Sequence, residues 1–140
     1  MRWQPVLIAR LARVRDVRMR LAEMALSRAD QALQASRELE HSAQQALAQA
    51  SSQLKVEIAE ADQALLSRQT GGRHGISDWQ DARKRAQRQV QKAESRAGDA
   101  VSQRLDQELA CSAARQQWRD MRLDVERLRM LTEEFKADSP

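Results

Sequence analysis

Two histidines, one cysteine and a few adjacent carboxylates are the side chains that could do chemistry in this 140-residue chain. His41 and His74 are 33 residues apart on different elements, and no metal-ligand spacing joins them to other donors. Cys111 would need an adjacent base to act as a nucleophile, and neither histidine is placed to serve it. The run Gly71-Gly72-Arg73-His74-Gly75 lacks both the Gly-Lys-Ser/Thr ending and the preceding strand of a phosphate loop. The pair Glu133-Glu134 lies in a helical stretch with nothing to desolvate it, so neither carboxyl is set up as a general acid. The expectation is therefore a protein with no catalytic residues, no metal site and no cofactor, and not an enzyme.

Arginine is the other chemical signal. Residues 1–20 contain six Arg and one acid, Asp16, a local charge of +5, while the remaining 120 residues carry 18 basic and 19 acidic side chains. Such an arm could meet nucleic acid, anionic lipid or an acidic protein face, or be a solvated helix face partly neutralised by its neighbour. Nucleic acid is disfavoured. Only Trp3 lies near the cluster as a stacking group, no recognition motif is present, and the acidic stretch expected opposite would repel phosphates. A membrane-surface helix is disfavoured because the apolar residues of this stretch are assigned to a helix–helix seam. No run approaches the ~20 apolar residues of a membrane span, so no direct membrane insertion is expected. The run Val6-Leu7-Ile8-Ala9 before Arg10 is too short for a signal peptide. A lone cysteine fits a reducing, cytoplasmic setting.

The elements that must position these groups are helices. The chain holds 23 Ala among its apolar residues, with four Gly, two Pro, one Phe and no Tyr. This favours long helix and leaves little bulk with which to enclose a pocket. Three of the glycines fall at residues 71–75. Ser77 followed by Gln80 fits a capping box, and Pro5 suits a first helical turn. The reading is a single all-α unit over 1–140, a long antiparallel two-helix coiled-coil hairpin. Helix one runs over about 6–68, a Gly-rich turn over 70–76, and helix two over about 78–136.

Periodicity assigns the seam. In the second helix one heptad position reads Arg83, Val90, Ala97, Arg104, Cys111, Trp118, Val125, Thr132. The other reads Trp79, Ala86, Ala93, Ala100, Gln107, Ala114, Met121, Leu128, Phe135, and thirteen of these seventeen are apolar. The first helix carries a looser stripe, Leu7, Leu11, Val14, Leu21, Ala25, Ala32, Leu39, Ala46, Ala50, Leu54, Ile58, Ala61, Leu65, closer to a 3.6 than a 3.5 period. Folding at residue 73 sets Trp118 near Ala25, Arg28 and Ala29, Val125 against Leu21, and Phe135 against Leu11. It also sets the basic run 83–92 opposite Glu57, Glu60 and Asp62, and the Arg-rich start opposite Glu126, Glu133 and Glu134. On this assignment Asp at positions 14 and 21 would unfold the terminal end. Arg18 lies near the stripe and is expected to snorkel over the seam.

The opening Leu7-Ile8-Ala9-Arg10-Leu11-Ala12-Arg13-Val14-Arg15, the body rich in Ala, Gln, Arg and Glu, and the break at Gly71-Gly72 together resemble the small stalk proteins of type III secretion systems, the FliJ/YscO group with its HrpO-like members. The similarity spans the whole length and lies in architecture and composition. It implies a shaft whose paired ends enter the pore of the hexameric type III secretion ATPase and promote its assembly or activity. The part nearer the turn would meet the cytoplasmic domain of the export gate, and some members escort secretion chaperones. It implies a location at the inner membrane, peripheral to the secretion apparatus. On this basis Arg10, Arg13, Arg15 and Arg20, with Arg122 and Arg129, are the expected ATPase-facing residues. Arg73, His74, Ile76 and Trp79 are the expected gate or chaperone contacts, Trp79 having a second reading as a cap on the seam. The alternative is a self-associating coiled-coil tether or chaperone-like scaffold.

Overall fold

A computed structural model describes residues 4–67 and 73–138, with the side chains of Gln4, Arg73, His74 and Asp138 outside the description. Two helices account for nearly all of it: α1, Gln4–Leu66, and α2, Arg73–Asp138, with no strand among the described residues. They pack on each other as an all-α helical hairpin. The expected turn residues 70–72 lie outside the described residues. Residues 73–76 are helical, so α2 starts ahead of the Ser77–Gln80 box, which sits inside the helix and caps nothing. Gly75 is buried in that first turn.

The chain groups into two compact units, one of residues 1–34 with 106–140 and one of residues 35–105. In the first unit the buried residues are Ala22, Leu33 and Cys111. Ile8, Met19 and Leu26 of α1 and Trp118, Met121, Val125 and Leu128 of α2 are half-buried in the same unit. In the second unit Ala86, Ala93, Ala97 and Ala100 form the core with Ser36. Alanine lets helices approach closely but buries little area, at roughly 25 cal/mol per Å².

The seam of α2 follows the expected heptads, every position being at least half-buried except Phe135, which is 44% exposed. The seam of α1 departs from the expected stripe over residues 7–46, apart from Ala32, and follows it from Ala50 on, where Ala50, Leu54, Ile58, Ala61 and Leu65 are all covered. Its covered positions are Ile8, Arg15, Ala22, Ala29, Ser36, Ala43, Ala50, Glu57 and Ala12, Met19, Leu26, Leu33, Glu40, Leu47, Leu54, Ala61. This is a strict 3.5-residue repeat, matched to that of α2. Leu7, Leu11, Val14, Leu21 and Leu39 are 40–59% exposed. The large residues at 7, 11, 14 and 21 form a short stripe that loses its bulk at Arg28, Ala32 and Ala35. The frame one residue later runs unbroken through eight heptads, and continuity along the partner outweighs local side-chain size.

The register also differs from the expected one, by about one helical turn. Val125 borders a groove with Ala12, Arg15 and Asp16, not with Leu21. Phe135 borders Pro5, Ile8 and Ala9, not Leu11.

Candidate binding faces

Polar pairs pin the register inside each unit. In the first, Arg15 Nη1 meets Asp124 Oδ2 at 2.9 Å. The Cys111 thiol donates to Asp30 Oδ1 at 2.8 Å, and Arg115 lies 3.6 Å from the same oxygen. In the second, Arg104 pairs with Glu40 at adjoining seam positions, their side chains 26% and 14% exposed. Trp79 Nε1 donates to Asp62 Oδ1 at 2.6 Å, and the Arg83 guanidinium lies 4.9 Å from the Trp79 ring centre. Ionic groups inside a coiled-coil seam select register more than they stabilise it.

These pairs divide the expected arginine cluster. Arg10, Arg13 and Arg20 are exposed, and among the described residues no ion pair engages them. Arg15 stands instead in the seam, committed to Asp124. Arg122 is 3.5 Å from Glu126 and lies over the Trp118 ring at 5.3 Å. Arg129 borders the groove of Ala12, Asp16 and Leu128. Arg18 is exposed and borders a groove with Ala22 and Met121, beside the seam as expected. At the other end Arg73 and His74 begin α2, with side chains outside the description. Ile76 is 52% exposed, whereas Trp79 is half-buried and bonded across the seam.

Glu57 and Glu60 share a groove with Ala82 and Arg85, so part of the expected acidic-to-basic matching is present within the second unit. No group of three or more His, Cys, Asp or Glu among the described residues could hold a metal ion. No helix among them is long and apolar enough to cross a membrane.

The feature sequence reading missed is an exposed apolar stripe on α1. Val6, Leu7, Leu11, Val14, Val17, Leu21 and Met24 are 40–62% exposed. The available signal was two competing apolar phases in residues 6–26, of which a hairpin can cover only one.

Searches against family models, curated proteins and solved structures find no match to this chain.

Proposed function

We propose that this chain is a stalk component of a type III protein-secretion system, one that binds the hexameric secretion ATPase, links it to the export gate, and promotes ATPase assembly or activity and protein export. One observation carries the reading. The start of α1 presents Arg10, Arg13 and Arg20 exposed and unengaged by ion pairs among the described residues, on a helix held against α2 by Arg15–Asp124. A helical pair that presents exposed cations on one helix is suited to contact with an acidic surface. Complementary charge steers encounter with an acidic surface and fixes orientation.

The ATPase would be met by the terminal unit. Export-gate or chaperone contact falls to the exposed Ile76 near the start of α2, with Arg73 and His74 beside it in sequence. Trp79 supports that end from inside, through Asp62. The reading places the protein in the bacterial cytoplasm, at the inner-membrane secretion apparatus. The test is turnover of the purified secretion ATPase with and without this protein. A several-fold rise accompanied by hexamer assembly is expected, diminished by Arg10→Gln, Arg13→Gln and Arg20→Gln together. No change in rate or assembly contradicts the reading.

A further inference from the structure

We infer that the outer face of α1 in the first unit is a docking surface for an anionic lipid bilayer. A membrane-surface helix is disfavoured where its apolar residues lie in the seam, and six large ones of this stretch do not. Leu7, Leu11, Val14, Val17, Leu21 and Met24 are 40–59% exposed. At about 100° per residue Leu7, Val14, Val17, Leu21 and Met24 fall on the side of α1 turned away from the seam positions Ile8, Ala12, Met19 and Leu26, with Leu11 on its flank; Leu21 also borders a groove with Gln117 and Met121.

Charge chooses the occupant. Every charged residue in that sector of residues 6–28 is an arginine, Arg10, Arg13, Arg20 and Arg28, with Arg18 on its edge beside the seam groove, all exposed. The two acids of the stretch stand on the other side of α1, Asp16 over the groove with Val125 and Leu128. A helix with an apolar stripe edged by arginines, whose stems can snorkel while their heads stay at headgroup level, is the form that lies in a bilayer interface. A second copy is disfavoured, since matching stripes would bring five arginines onto five. A partner helix would need acids at fixed positions to meet arginines with no regular period, whereas anionic headgroups diffuse to wherever the cations are. The stripe is also a ridge on one helix, which a planar surface covers more readily than another helix does. This surface does not depend on the ATPase reading, although Arg10, Arg13 and Arg20 serve both, and the test contains no ATPase.

The experiment is co-sedimentation of the full chain with vesicles of phosphatidylcholine alone or with 30% phosphatidylglycerol, at two salt concentrations. Binding at least tenfold tighter to the anionic vesicles is expected, weakening as salt rises. Leu11→Gln with Leu21→Gln should weaken it at least fivefold at unchanged helicity. An environment-sensitive probe at position 14 should shift blue on these vesicles, and one at position 23 should not. The probe keeps the test valid should the double variant lose helicity. Equal affinity for both vesicles, wild-type binding by a folded leucine variant, or no blue shift at position 14 overturns the proposal. So does a concentration-independent dimer that ignores vesicles, which assigns the stripe to a second copy.

Discussion

Glu40 and Arg104 show how a single residue can matter more to register than to stability. Both occupy seam positions where a leucine would pack, and each faces the other as an ion partner. Glu40→Ala leaves a guanidinium half-covered without this partner. Urea unfolding should report a loss of about 1–2 kcal/mol, scaled down from a fully buried pair because both groups retain some solvent. Replacing both by leucine should restore stability or exceed it. Wild-type stability in the single variant would mean that the pair does not form in solution. Gly98 offers the opposite case. It lies mid-helix in α2, and a Cβ built there meets nothing within 4 Å. Gly98→Ala should therefore stabilise the chain by ~0.5–1 kcal/mol, read as a raised unfolding midpoint. Cys111 supplies a probe of opening. Its side chain is 2% exposed, so modification by a thiol reagent should be slow in native buffer and accelerate with denaturant. Fast labelling of the native protein would contradict that burial.

At the scale of the helix, α2 was legible because its small apolar residues leave only one continuous heptad frame. The first half of α1 was not, because residues 6–26 carry two apolar phases and the bulkier one is not the seam; from Ala50 to Leu65 the expected stripe and the covered positions agree. Side-chain size within one helix gives no access to the partner's repeat. It is the match to α2 at 3.5 residues per turn, sustained over eight heptads, that selects the frame of Ile8 and Ala12. The expected turn covered 70–76, of which 73–76 are helical and 70–72 lie outside the described residues; helix two was expected to start at the capping box, whereas α2 begins at Arg73, and the register is displaced by about a turn. The arginine positions were visible in the sequence. That Arg15 alone among Arg10, Arg13, Arg15 and Arg20 turns into the seam was not, because it depends on Asp124 lying across from it. The two frames make opposite predictions. Asp at positions 14 and 21 should change thermal unfolding little, by about 0.5 kcal/mol or less per site, as at other exposed positions. Leu33→Asp, at a position 7% exposed, should cost ~3 kcal/mol or more. Equal melting of the two variants would return the seam to Leu7, Leu11 and Val14.

Across the whole molecule, the charge imbalance is what links structure to role. The first 20 residues carry +5 against −1 for the other 120, so a small overall charge conceals a basic end. The seam neutralises only part of it: Arg15 is engaged, while no ion pair among the described residues engages Arg10, Arg13 or Arg20. An ATPase surface and an anionic bilayer would draw on the same cations, so prior occupancy of one should weaken the other. Both uses require that the start of α1 is held by the end of α2, with its outer side left open.

That arrangement can be measured directly. Spin labels at positions 13 and 127, both exposed and within the first unit, bracket the seam near Arg15–Asp124. Helices packed 8–10 Å apart should give an intramolecular label separation of about 2–3 nm, retained when labelled chains are diluted with unlabelled ones. A separation beyond ~5 nm, approaching the ~17 nm of one continuous helix between those positions, would contradict the account.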